Sequence, residues 1–280
     1  MMKSWRLNWT LEEIFTSQNY SNHVATLKSS WRFWFALVVK FIPGLWKGSI
    51  LLRLKEGGAF YVKNFMTLYI YKEIFVDKCY DYPLLFEQKP VIIDIGANTG
   101  LFSLRMKQLY PDSQIYCYEP FHLNFEQLSS NTKASNLSNI EIFNCGVGGV
   151  SRKEKLYTHQ SNLGGHSIIQ SETNSNEFTE INLIAIQDIF ESLKISNCNL
   201  LKMDCEGAEF EIIKSIDIKL AASIEKIIFE PTKSAYNVDE LTEHLENIGF
   251  KMVHREGICV AINISSFDEI FETEEISQVA

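Results

Sequence analysis

Five acids and one imidazole in this chain stand where side chains do chemistry. Asp94, Glu119, Asp204 and Glu230 each close an apolar run, Glu206 follows two residues after Asp204, and His166 sits beside two glycines. Carboxylates so placed can accept from a diol, take a proton from a hydroxyl or, when paired, hold a hard cation such as Mg²⁺. The first of them belongs to V-I-I-D-I-G-A-N-T-G, Val91 to Gly100. Gly96 and Gly100 let the backbone turn sharply, and neither carries a Cβ that would hold a ligand away. Gly96, Ala97, Asn98 and Gly100 are therefore the candidate cofactor-binding turn. Asn98 stands where a dinucleotide fingerprint has its middle glycine, and the Lys-Ser/Thr ending of a phosphate-cradling loop is missing. A nucleoside without phosphates fits this turn better than NAD. Glu119 lies 19 residues beyond Gly100, close to the ~20-residue offset at which an acid meets ribose hydroxyls.

The elements that position these groups follow from periodicity. Val91 to Ile95 is nearly all apolar, as in a parallel strand covered on both faces. Helix Leu101 to Leu109, strand Gln114 to Glu119, helix Phe121 to Thr132 and strand Ile140 to Asn144 then repeat the rhythm of a doubly wound α/β sheet. Between Val147 and Phe178 that rhythm breaks into an expected hairpin, V-G-G-V-S-R-K-E-K-L-Y-T, and a loop containing Asn162 to Ser167. His166 in this loop reads either as a proton-transfer group near a substrate hydroxyl or as a surface histidine. Strand Ile181 to Ile186, helix Gln187 to Leu193, a strand ending at Asp204, a turn at Gly207 and a helix carrying Glu209 and Glu211 come next. Strand Ile224 to Glu230 places its acid beside Asp204. Ligands in such sheets sit outside the carboxyl ends of the strands, so Asp94, Glu119, Asp204 and Glu206 are expected at one crevice. Asp204, Glu206, Glu230 and His166 are the candidate catalytic residues, and Glu230 also reads as a helix cap or a solvated acid. Helix Val238 to Asn247 and strands Phe250 to Arg255 and Ile258 to Ile264, turning at Glu256-Gly257, close the sheet with an antiparallel edge.

The phrase ending in Asp94 and G-A-N-T-G resembles the first motif of class I S-adenosylmethionine-dependent methyltransferases. L-K-M-D-C-E-G-A-E, Leu201 to Glu209, is similar to the hallmark K-I-D-V-E-G-A-E of the FkbM family within that class. The resemblance covers about residues 57 to 264 and implies a Rossmann-like, mostly parallel seven-stranded sheet. It also implies S-adenosyl-L-methionine as cofactor, with the glycine turn on its methionine portion and Asp94 near its ammonium group. Members are mostly O-methyltransferases of sugars, glycolipids or polyketide-type metabolites, so a small-molecule or glycan hydroxyl is the implied acceptor. Whether Mg²⁺ assists is left open by the residues. A cofactor-binding module without turnover, acting as an interaction protein, is the alternative, and the missing middle glycine weakens an NAD-dependent dehydrogenase.

At 280 residues, 46% hydrophobic and 22% charged, the chain has the composition of a soluble globular protein. We expect an N-terminal α/β extension over 1–85, a methyltransferase domain over 86–265 and an acidic tail over 266–280. A net charge of −9 without a basic stripe argues against a nucleic-acid partner. Six cysteines without a C-x-x-C pair read as reduced thiols, and the N-terminus lacks the pattern of a secretory signal, so a cytoplasmic location is expected. Trp31 to Trp46 is apolar and tryptophan-flanked, yet its core from Phe33 to Ile42 is shorter than the ~20 residues of a membrane span. It reads as a peripheral membrane or subunit contact, or as a helix packed on its own core.

Overall fold

The computed structural model describes residues 22–42, 44–81, 86, 89–158, 166–173, 176–232, 234–255 and 257–265. A short helix expected around Leu11 to Phe15 with Thr10 as its cap, linker residues Tyr82 and Pro83, loop residues Asn162 to Gly165, turn residue Glu256 and the acidic tail lie outside them.

Helix α1 (Ser30–Phe41), the hairpin β1 (Ile50–Arg53) and β2 (Ala59–Val62), and helix α2 (Phe65–Tyr71) come first. Asn64 caps α2 by accepting from the Thr67 amide at 3.0 Å, which satisfies one of the orphan donors of the first turn. The helix runs on as one π-helical turn, Lys72–Val76. Then follow β3 (Val91–Ile95), α3 (Leu101–Leu109), β4 (Gln114–Tyr118), α4 (His122–Ala134), β5 (Ile140–Phe143), β6 (Gly146–Gly148), β7 (Arg152–Tyr157) and β8 (Phe178–Ala185). The chain continues through α5 (Ile186–Leu193), β9 (Leu200–Met203), α6 (Glu209–Ser215), β10 (Lys226–Phe229), α7 (Val238–Asn247), β11 (Phe250–Arg255) and β12 (Ile258–Asn263).

Seven strands make one sheet in the order β11-β12-β10-β9-β3-β4-β5. The five from β10 to β5 are parallel, and β12 is antiparallel to both of its neighbours. The antiparallel strand thus sits inside the sheet, and β11 forms the edge. Strand order reverses between β3 and β9, and this switch point is where such sheets leave a crevice.

Residue parity sorts the side chains between two cores. Ile92, Cys117, Leu200 and Ile228 face one side, with α3 and the N-terminal elements. Ile93, Ile95, Tyr118, Leu201, Met203, Ile227 and Phe229 face the other, with α5, α6 and α7. The first core is continuous with Leu52, Phe60, Phe65 and Leu68 of the N-terminal elements. Polar groups of α4 finish the exposed side of β2. Asn131 Oδ1 accepts from the Tyr61 amide at 2.8 Å, Gln127 donates to the Tyr61 carbonyl at 2.7 Å, and Ser135 binds both the amide and the carbonyl of Ala59. Backbone groups that would otherwise be left unpaired are satisfied this way.

The expected hairpin from Val147 does not form. β8 lies between its two arms, parallel to β6 and antiparallel to β7, in a separate three-stranded sheet. Ser151 ties the crossing segment down. Its hydroxyl donates to Asp188 at 2.6 Å and accepts from the Ala185 amide, at the end of β8, at 2.8 Å. A partner arriving from farther along the chain is invisible to local turn signals.

Candidate active site

A cavity of about 250 Å³ opens at the carboxyl ends of the central parallel strands. The Gly96–Asn98 turn, Glu119, Asp204, Glu206, Glu230 and His166 line it; of the four acids expected at one crevice, Asp94 is not among the lining residues. Part of the wall comes from elsewhere: Met66 and Ile70 of α2, Glu73 of the π-helical turn, and Tyr80. Isolated π turns recur at functional positions.

The turn after β3 is held by Glu119. One carboxylate oxygen accepts from the Asn98 amide and the other from the Phe121 amide, each at 2.8 Å. A carboxylate has about four acceptor sites, so each oxygen keeps a lone pair for a ligand. Burial pushes this carboxyl up to about 7, against the lowering effect of its two backbone donors. Asn98 takes the left-handed conformation, φ +50°, which asparagine tolerates better than most residues. Gly96 and Gly100 also have positive φ, and their need for hydrogen in place of Cβ comes from the chain itself. A Cβ on Gly96 would stand 1.9 Å from the Asp204 carbonyl oxygen, and one on Gly100 would stand 2.4 Å from Leu128.

Asp94 stands away from the cavity lining. It is fully buried, because its parity in β3 directs it to the face under α3 and not out of the strand end. Its register partner on β9 is Lys202, whose Nζ lies 3.1 Å from Asp94 Oδ1, and Ser103 donates to Oδ2 at 2.9 Å. Lys202 is the group that carries this charge to the cavity. It donates to the Gly96 carbonyl at 3.0 Å and lies 3.9 Å from Asp204 Oδ2. Burial opposes the lysine's charge, but Asp94 and Asp204 outweigh it and hold its pKa above the ordinary value. A lysine inside the apolar strand L-L-K-M was the sequence signal for this pair, since a buried ammonium demands a partner.

The turn after β9 is organised by Glu209. One oxygen accepts from the Cys205 amide at 2.8 Å, and the other accepts from the Gly207 amide at 2.8 Å, Tyr236 at 3.1 Å and Thr232 at 3.4 Å. Glu206, at φ +53°, and Asp204 are thereby presented to the cavity. Glu73, Asp204, Glu206 and Glu230 gather there. Desolvation and then the neighbouring Asp204 push Glu73 and Glu206 up to about 8 and Glu230 up to about 7, with Lys202 partly offsetting the rise at Glu230. Glu73 was missed because it lies far upstream, outside any motif. Tyr80, also missed, donates to Asp204 Oδ2 at 3.4 Å. His166 is buried, its ring centroid 4.0 Å from that of Phe121, which sets aside the surface reading. Among the described residues no three His, Cys, Asp or Glu side chains are grouped so as to hold a metal ion.

Residues 94–252, more than half of the chain, match the family described as Methyltransferase FkbM domain. The chain belongs to the FkbM methyltransferase family. Methyltransferase 1 of Beauveria bassiana (strain ARSEF 2860) is 29% identical over 201 residues, which cover 65% of this chain and 80% of that protein. The 31-O-demethyl-FK506 methyltransferase FkbM of Streptomyces tacrolimicus is 23% identical over 260 residues, covering 82% of this chain and 95% of its own. The 2-O-methyltransferase NoeI of Sinorhizobium fredii (strain NBRC 101917 / NGR234) is 26% identical over 146 residues, covering 46% and 58%. Like its family, this FkbM-type protein is an S-adenosylmethionine-dependent methyltransferase. The cavity suits such a cofactor in two respects. Glu119 offers a free lone pair on each oxygen to a vicinal diol, and the acids of the lining favour a cationic ligand over one bearing phosphates.

Proposed function

We propose that this enzyme methylates a hydroxyl oxygen of a small molecule or glycan. The observation that carries the reading is the convergence of Glu73, Asp204, Glu206 and Glu230 on the cavity that Glu119 also lines. The cofactor, when bound, supplies an activated methyl group on a sulfonium. In our reading Glu119 accepts from both ribose hydroxyls, and the backbone of Gly96, Ala97 and Asn98 meets the amino-acid end. Gly100 allows the turn that places them, and Asp94 acts from behind by fixing Lys202 beside the Gly96 carbonyl. As the new oxygen–carbon bond forms and the sulfur–carbon bond breaks, the acceptor proton passes to a carboxylate of the cluster, with Asp204 as first candidate and Glu206 and Glu230 beside it. The Glu206 and Glu230 carboxyls, raised toward neutrality, are stronger bases when ionised and so are suited to this transfer. Aligning the acceptor oxygen supplies the rest of the rate. His166, packed on Phe121, is assigned to shaping the acceptor end of the cavity.

The names of two relatives, an O-demethyl-FK506 methyltransferase and a 2-O-methyltransferase, support oxygen as the atom modified. We further propose that the N-terminal extension expected over 1–85 works, through its described residues 44–81, as one unit with the methyltransferase domain of residues 86–265, because Glu73 and Tyr80 belong to the cavity wall. The test is incubation with methyl-labelled cofactor and fractionated cell extract, followed by mass identification of the labelled product. A methylated oxygen in a small molecule or glycan is expected. Label on nitrogen, carbon or nucleic acid would overturn the reading, and tight cofactor binding without any labelled product would favour the non-catalytic module.

A further inference from the structure

Helix α1 is apolar on two sides. Phe33, Ala36, Leu37 and Val39 are buried in the core. Trp31, Phe35, Val38 and Ile42, spaced i, i+4, i+7 and i+11, form one exposed stripe, and Trp31 and Val38 are 65% and 62% exposed. Leu45 and Trp46 are exposed as well. Trp46 packs edge-on against Phe35 with ring centroids 6.0 Å apart, which joins them to the stripe. Lys40, though buried, donates to the carbonyls of Trp46 and Gly48 and so fastens this turn to the helix. Scattered surface hydrophobics are ordinary, whereas a contiguous set marks a contact.

The charge around the stripe decides what kind of contact. The chain holds 35 acids and a net charge of −9, yet no Asp or Glu occurs between Glu13 and Glu56. Lys28, Arg32, Lys47, Arg53 and Lys55 fall in that interval and are exposed. The Arg32 guanidinium lies 5.4 Å from the centroid of the Trp31 ring, and Lys47 follows Trp46. An apolar stripe with tryptophans at both ends, cations at its margin and no acid within its own segment matches the chemistry of an anionic bilayer surface. The rest of the chain is acidic in balance, which sets this basic segment apart.

We propose that α1 and the Leu45–Trp46 turn seat this enzyme peripherally on anionic lipid. Among the described residues no helix is long and apolar enough to cross the bilayer, so the contact is interfacial. α1 rests on α2 through the Phe41–Phe65 and Phe33–Tyr71 ring contacts, at 5.8 and 5.9 Å. Met66 and Ile70 of α2 line the cavity, which therefore begins one helix away from the lipid. This proposal rests on the α1 surface and holds whatever the acceptor proves to be.

The test is flotation of the full chain with vesicles of phosphatidylcholine alone and of phosphatidylcholine mixed with phosphatidylglycerol, at low and high salt. We expect flotation with the anionic vesicles only, weakened by salt, with a blue shift of tryptophan emission. Trp31→Ser combined with Val38→Ser should lower partitioning by about tenfold or more while leaving the melting temperature and cofactor binding unchanged, since both side chains are exposed. Failure of the unaltered protein to float with anionic vesicles overturns the proposal. Equal flotation of the double variant overturns it too, as does a solution dimer that Val38→Ser dissociates, which would make the stripe an interface between copies of this chain.

Discussion

The turns after β3 and β9 are built alike, each held by a glutamate that accepts from backbone amides, but the two glutamates end in different states. Glu119 accepts from two protein donors and lines the cavity. Glu209 accepts from two amides and two hydroxyls and is fully buried away from it. The difference teaches how one device serves two ends: a carboxylate with unspent lone pairs at a cavity can take a ligand, and one saturated by its own fold can only set a shape. Asp94 is kept from a ligand by its position instead: it meets Lys202 and Ser103 while buried away from the cavity.

The sharpest way to break this comparison is at Glu209. Glu209→Ala leaves two amides and the Tyr236 hydroxyl without their acceptor and should cost about 3–5 kcal/mol of stability, read by denaturant titration. An unchanged midpoint would remove the structural role given to it. At Glu119 the larger effect should fall on ligand binding. Glu119→Ala should weaken S-adenosylhomocysteine by about a hundredfold, near 3 kcal/mol for two hydrogen bonds to a charged acceptor, by calorimetry. It should also melt higher than Glu209→Ala.

Within the cavity, Asp204→Asn should bind S-adenosylhomocysteine normally and lower turnover by roughly a hundredfold if Asp204 handles the proton. Turnover at the original rate would leave alignment alone to account for catalysis. The raised carboxyls give a smaller, pH-dependent signature. Glu73, Glu206 and Glu230 stand at about 8, 8 and 7 in the fold against an ordinary value of 4.5. Between these limits the native state holds more protons than the unfolded one, so stability should fall as pH climbs from about 4.5 to about 8. Glu73→Gln should make that slope shallower in a pH series of melting temperatures. Least of all should follow from EDTA, because the proposed transfer hands the acceptor proton directly to a carboxylate; loss of activity restored by added Mg²⁺ would contradict the carboxylate reading.

Much of this architecture was determined locally. β3, α3 and α7 have the bounds that apolar periodicity indicated, Val91–Ile95, Leu101–Leu109 and Val238–Asn247. The gathering of Asp204, Glu206 and Glu230 followed from strand ends alone, because a parallel sheet brings its carboxyl ends to one side whatever else the chain does. Tertiary structure decided the rest. It placed β8 between β6 and β7, since strand pairing is settled by partners distant in sequence. Parity in β3 and the facing Lys202 drew Asp94 under α3. Packing of the N-terminal elements on the shared core brought Glu73 and Tyr80 to the cavity, and Phe121 buried His166. Each of these outcomes depends on which surfaces meet after the elements form, and the period and spacing of a single chain carry no record of that meeting.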